Sequence, residues 1–167
     1  MRDWFTLVGR SSTFLDMSPE EAVARLNTIL AHAWMIRTFL KHADEIQGSA
    51  EMLDVPRTLY DSIRAVEPAW ERRDLGEFLR RLKGKLGKIR RVARYFETHF
   101  RDFSPHTNYE MAAVSLMGVV QAMEEVFAQV VQSRLREIQL ALHDRDVVSR
   151  FQIGDVRPGS ALAGHQV

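Results

Sequence analysis

Three of the six histidines sit near carboxylates, in a pattern that could hold a metal ion or pass a proton. His42 and Glu45 are three residues apart, which on a helix places both on one face. His99 and His106 flank the Ser104-Pro105 pair. Imidazole with carboxylate is a sound ligand set for zinc or iron. His42, Glu45, His99 and His106 are therefore the candidate ligands for a divalent ion. The paired Glu-x-x-His repeats of dinuclear carboxylate bundles are missing, because Glu97-Thr98-His99 has the wrong spacing. The chain has no cysteine, which excludes disulfides, thiolate metal sites and a Cys nucleophile. The expectation is no cofactor, with a divalent metal at these side chains as the alternative.

A second pattern overlaps the first. Arg101-Asp102-Phe103-Ser104-Pro105-His106 resembles the Arg, polar residue, short spacer, His motif of HEPN-domain ribonucleases, which are also helical bundles. The resemblance covers six residues. It implies RNA cleavage, with Arg101 and His106 as the catalytic pair, often contributed across a dimer. The same loose spacing recurs at Arg37-Thr38-Phe39-Leu40-Lys41-His42, and Pro105 interrupts a stretch that the family tends to keep helical or aromatic-flanked.

The third feature is charge. Between Phe78 and Phe96 stand eight cations and no acid: Arg80, Arg81, Lys83, Lys85, Lys88, Arg90, Arg91 and Arg94. The whole chain carries +1, so the remainder holds 15 basic against 22 acidic residues, or −7. Such segregation marks a surface for an anionic partner, either RNA or an acidic protein. At ~100° per residue the cations cover the arc of their helix opposite its apolar stripe, and Gly84 and Gly87 lie in that arc. Each glycine costs ~1 kcal/mol against alanine in a helix interior. A close-approaching phosphate chain or neighbouring helix would account for them. The bland alternative is a solvated face paired with acids of adjacent helices. No aromatic interleaves the cations, so base stacking on single strands is not indicated.

Nucleotide and hydrolase signatures are absent: no Gly-x-Ser-x-Gly, phosphate-binding Gly-x-x-x-x-Gly-Lys, His-Glu-x-x-His or Gly-x-Gly-x-x-Gly. The longest apolar run, Met111 to Met123, is broken by Ser115 and Gln121 and stopped by Glu124-Glu125. That is short for a bilayer span, and the first residues lack a signal-peptide pattern. The expectation is a cytoplasmic protein without a membrane partner.

These side chains need elements to position them, and the periodicity is helical throughout. Ser18-Pro19-Glu20-Glu21 is a helix start with a capping box. Ala22, Leu26, Ile29, Ala33, Ile36, Leu40 and Ala43 follow at spacings of four and three, and Gly48 ends that helix. A second, shorter helix runs from about Ala50 to Val66, with Pro56 as an alternative first turn and Pro68 closing it. Asp74 caps a third, whose stripe is Leu75, Leu79, Leu82, Leu86, Ile89, Ala93, Phe96 and Phe100. Ser104-Pro105 starts the fourth, which continues to about Arg150 with Gly118 as its one flaw. Short links make neighbours antiparallel. The predicted fold is all-α, an antiparallel up-down-up-down four-helix bundle with an overlong C-terminal helix.

Residues 18–150 form the bundle in this reading, and 151–167 a disordered tail. Chain reversal brings His42, Asp44, Glu45, Glu97, His99, Arg101, Asp102, His106 and Asn108 to one end. At the other end the last helix overhangs from roughly Leu135. The N-terminal segment, residues 1–17, brings Trp4, Phe5, Leu7, Phe14 and Leu15 to cover the overhang's Leu135, Ile138 and Leu142. Between Met111 and Val131 the fourth helix is apolar nearly all round, which suits a central helix or a homodimer seam.

Overall fold

A computed structural model describes residues 17–152, with side chains through His143. Every element among them is a helix: α1 (Pro19–Lys41), α2 (Asp44–Gln47), α3 (Ala50–Glu71), α4 (Leu75–Phe103) and α5 (Thr107–Gln152). The long helices pack as α1 on α3, α3 on α4, α4 on α5 and α5 back on α1. Each therefore has two main neighbours around one apolar interior, across which α1 also meets α4. α5 takes up the first two residues of the predicted tail, Phe151 and Gln152; the rest of that tail and most of the N-terminal segment lie outside the described residues.

The caps work as their residue types dictate. The Ser18 side chain accepts from the Glu21 amide at 3.1 Å, with Pro19 in the first turn. The Ser49 hydroxyl accepts from Met52 N–H and Asp74 Oδ1 from Glu77 N–H. Each cap satisfies an amide that the helix leaves unbonded, and is worth about 1 kcal/mol.

Three boundaries differ from the sequence reading. The first helix does not continue to Gly48. It stops at Lys41, and His42-Ala43 break it before the single turn of α2. The break lets Ile46, fully buried, enter the core. Pro68 does not close α3. The helix runs on to Glu71 because a proline within the last turn forfeits one hydrogen bond while Ala69 is still buried in the core. The true stop is Arg73, in the left-handed region at φ 55°, with Asp74 N–H reaching back to Ala69 O at 2.9 Å. This is a Schellman-type end with arginine where glycine is usual. Finally, α5 begins at Thr107, two residues past Pro105, where the His106 ring accepts from Asn108 N–H at 3.2 Å.

The α4 stripe reads as anticipated, from Leu79 and Leu82 through Ala93, Phe96 and Phe100, with Phe78 and Val92 added and Leu75 only partly covered. On α1, Val23 and Leu30 are buried and Ile29 only partly so. α5 buries Ala112, Ala113, Leu116, Val119, Val120 and Met123 along one side, then Val126 and Phe127. Its stretch Thr107–His143 is long and apolar enough to cross a membrane by composition, and packing between α1 and α4 accounts for much of that apolarity. At 46 residues it is twice the length of the 23-residue α1. Beyond Ser133, Leu135, Ile138, Leu140 and Leu142 are exposed.

Candidate functional site

The outer face of α4 follows from its inner one. Core side chains recur on one side of the helix, so Arg80, Lys83, Gly84, Gly87, Lys88, Arg91 and Arg94 all come out exposed. Lys85 and Arg90 lie at the edges and are half-buried. Three of the eight predicted cations are neutralised locally. Arg80 and Arg81 both bond Glu77 one turn back, and Arg81 also donates to Ala65 O at 3.1 Å. Those guanidiniums, Arg81 first, hold the Glu77 carboxyl below the usual carboxylate range. Arg90 pairs with Glu124 of α5 at 2.5 Å.

Lys83, Lys85, Lys88, Arg91 and Arg94 make no ion pair among the described residues. Arg91 lies beside Glu51 and Asp54 of α3 across a dip of about 210 Å³. Arg90 and Arg94 share with Glu97 and Glu124 the lip of a groove of about 400 Å³ between α4 and α5. The two flanks are thus tempered by acids of the neighbouring helices. The crest between them is not. At its centre a Cβ added to Gly84 or Gly87 would meet nothing within 4 Å. These two bare positions, one turn apart, lie between Arg80 and Arg91, which are about 16 Å apart along the axis.

The histidine end is assembled differently from a metal site. The Tyr109 hydroxyl donates to Glu45 Oε2 at 2.6 Å, tying α2 to α5. That bond, more than the nearby His106, lowers the Glu45 carboxyl, while burial first and Glu45 second raise the Tyr109 phenol. His42 caps α1 through its backbone. His99 Nδ1 lies 3.1 Å from Asp102 Oδ2, with its ring against Tyr95. Among the described residues no three His, Asp or Glu side chains gather as a metal-holding group. Arg101 reaches Glu110 at 3.5 Å, and His106 spends Nδ1 on capping α5.

No known protein family, curated protein or solved structure matches this chain. Function must be read from the surface itself.

One feature escaped sequence reasoning. An open groove of about 630 Å³ runs between α1 and α3, lined by Leu30, Trp34, Met35, Ile63, Val66 and Trp70 and closed at one end by Phe78. Beside it the Arg37 guanidinium lies against both the Trp34 and Tyr60 rings, 4.9 and 5.0 Å from their centroids. Trp34, off the α1 stripe, meets α3 through Tyr60. The available signal was two tryptophans off their stripes on helices that turn out to be neighbours.

Proposed function

We propose that the chain is an interaction protein of the cytoplasm, built as an up-down-up-down four-helix bundle, that docks an anionic partner on the outer face of α4. Links of three residues, Arg72–Asp74 and Ser104–His106, favour reversal after α3 and α4. One observation carries the functional reading. Five cations on α4 have no acid partner among the described residues, and the exposed ones surround two glycines with open space above them. Surface ion pairs stabilise a fold little, so a run of eight cations on one helix, five of them without an ion pair among the described residues, is poorly explained by stability.

The partner is RNA or an acidic protein, and salt dependence separates the two. Phosphate-backbone binding releases counterions, and log K falls with log salt at a slope near −0.7 to −0.9 per phosphate contacted. The test is a titration of the full chain with labelled RNA and duplex DNA at several salt concentrations. Lys83→Ala, Lys88→Ala, Arg91→Ala and Arg94→Ala together should reduce binding and flatten the slope by about four. Affinity unchanged by the four substitutions, or no binding at low salt, ends the nucleic-acid form. The acidic-protein form is then tested with acidic polypeptides.

A further inference from the structure

Among the described residues two apolar features lack a cover, and both belong to the same end. One is the groove between α1 and α3, where Trp34 is 38% exposed, Met35 69% and Trp70 46%. The other is the part of α5 past Ser133, where Leu135, Ile138 and Leu142 are 50%, 56% and 56% exposed. One contact and two positions in the fold fix that end. Met17 N–H donates to Ser133 Oγ at 2.9 Å, so α5 leaves the bundle beside the start of α1. Trp70 belongs to the last turn of α3, and Phe78, at the start of α4, closes the groove.

We propose that the groove of one chain receives the α5 extension of a second copy, and that the exchange is reciprocal. The lengths agree. Leu135 to Leu142 and, on the α3 side of the groove, Ile63 to Trp70 each span seven residue steps, about 10.5 Å of helix, and the α1 side, Asn27 to Met35, spans eight, about 12 Å. Leu135, Ile138 and Leu142 at spacings of three and four form a single stripe, the pattern an amphipathic helix uses to fill a groove between two others. The receiving surface has the composition of interface anchors, two tryptophans and a methionine rimmed by the Arg64–Glu67 ion pair. A two-fold pairing closes on itself and covers both features in both chains, whereas a single extension would leave one groove and one stripe in water. Two contacts of this kind remove on the order of 1,000 Å² from solvent, the size at which specific association begins. The proposal is independent of the basic face of α4, which it leaves open.

The full chain is tested by size-exclusion chromatography with light scattering across micromolar concentrations. Wild type runs as a dimer. Ile138→Lys in the stripe and Met35→Lys in the groove each weaken the dimer by about tenfold or more. Both positions are exposed, so circular dichroism should show the fold kept. An equimolar mixture of the two variants forms a heterodimer in preference to either homodimer, because one intact stripe then meets one intact groove. The chain has no cysteine, so Met35→Cys and Ile138→Cys chains provide a second readout: mixed and oxidised, they cross-link to each other more than to themselves. A wild-type monomer throughout overturns the proposal. So does a Met35→Lys chain that dimerises like wild type, which would mean that the extension pairs with its own copy or lies against residues 1–16.

Discussion

Replacing Gly84 and Gly87 together by alanine separates stability from function on the α4 face. A Cβ at either position has nothing within 4 Å to strike, and neither backbone has a positive φ. The helix should gain what alanine is worth over glycine, about 1 kcal/mol per site and about 2 kcal/mol for the pair. The sites are neighbours on the helix, but a methyl group at either meets nothing within 4 Å, so the two gains should add. For a chain of this size that corresponds to a rise in melting temperature of about 4–8 °C. Differential scanning calorimetry and urea denaturation measure it. In the same protein, affinity for the anionic partner should fall, because the added methyl groups lift the partner off the bare backbone while every cation stays in place. An unchanged or lowered melting temperature would refute the packing account of these glycines. A raised melting temperature with unaltered binding would refute the idea that close approach is what keeps them.

Two further outcomes follow from local geometry. Arg73 holds a left-handed conformation at φ 55°, which costs a residue with a Cβ about 1 kcal/mol. Arg73→Gly should therefore stabilise by roughly 0.5–1 kcal/mol in urea denaturation, and a loss of stability would show that the arginine side chain contributes more than its backbone costs. Tyr109 has its phenol pKa raised in the fold, first by burial and then by its bond to Glu45. Stability from that group is intact below about pH 10 and is lost as pH climbs from there toward the folded value. Tyr109→Phe should flatten the decline above pH 10, and superimposable pH–stability curves for the two proteins would exclude the contribution. Glu45, whose pKa is lowered chiefly by that bond, acts in the opposite sense. Its share is present above the ordinary carboxylate range and fades as acid titrates the folded group.

Periodicity and capping chemistry were the readable part of the fold. Ser18 and Asp74 announced their helices because a short polar side chain before an apolar repeat has one obvious use, and both cap as read. The stripe of α4 was legible because its charged and apolar residues segregate cleanly. Proline misled at Pro68, where burial of Ala69 outweighed one missing hydrogen bond. The stop at Arg73 was invisible because arginine carries no signal for a left-handed conformation. The break at His42-Ala43 was equally hidden, since the apolar spacing continues across it and only the demand of the core for Ile46 turns the chain.

At the candidate sites the same division holds. The cations were found by counting, but which of them Glu77 and Glu124 neutralise depends on rotamers and on a helix 34 residues away. The aromatic groove required knowing that α1 and α3 lie side by side. The imidazoles and carboxylates of the opposite end were foreseen as neighbours, and Glu45 does lie within electrostatic reach of His106. Their engagement in caps and paired contacts was not foreseen, because composition lists donors and acceptors without saying which atoms are already spent.

The undivided hydrogen-bond ladder of α5 makes it mechanical as well as structural. It is 46 residues long, or roughly 69 Å, and no proline interrupts it. Its inner half is gripped by α1 and α4, and Ser133 marks the fulcrum. From there to Gln152 is a lever arm of about 28 Å, so a tilt of about 10° at the fulcrum would swing the tip by about 5 Å. A small repacking around Met123 or Phe127 would thus be magnified into a displacement comparable to a full helical turn.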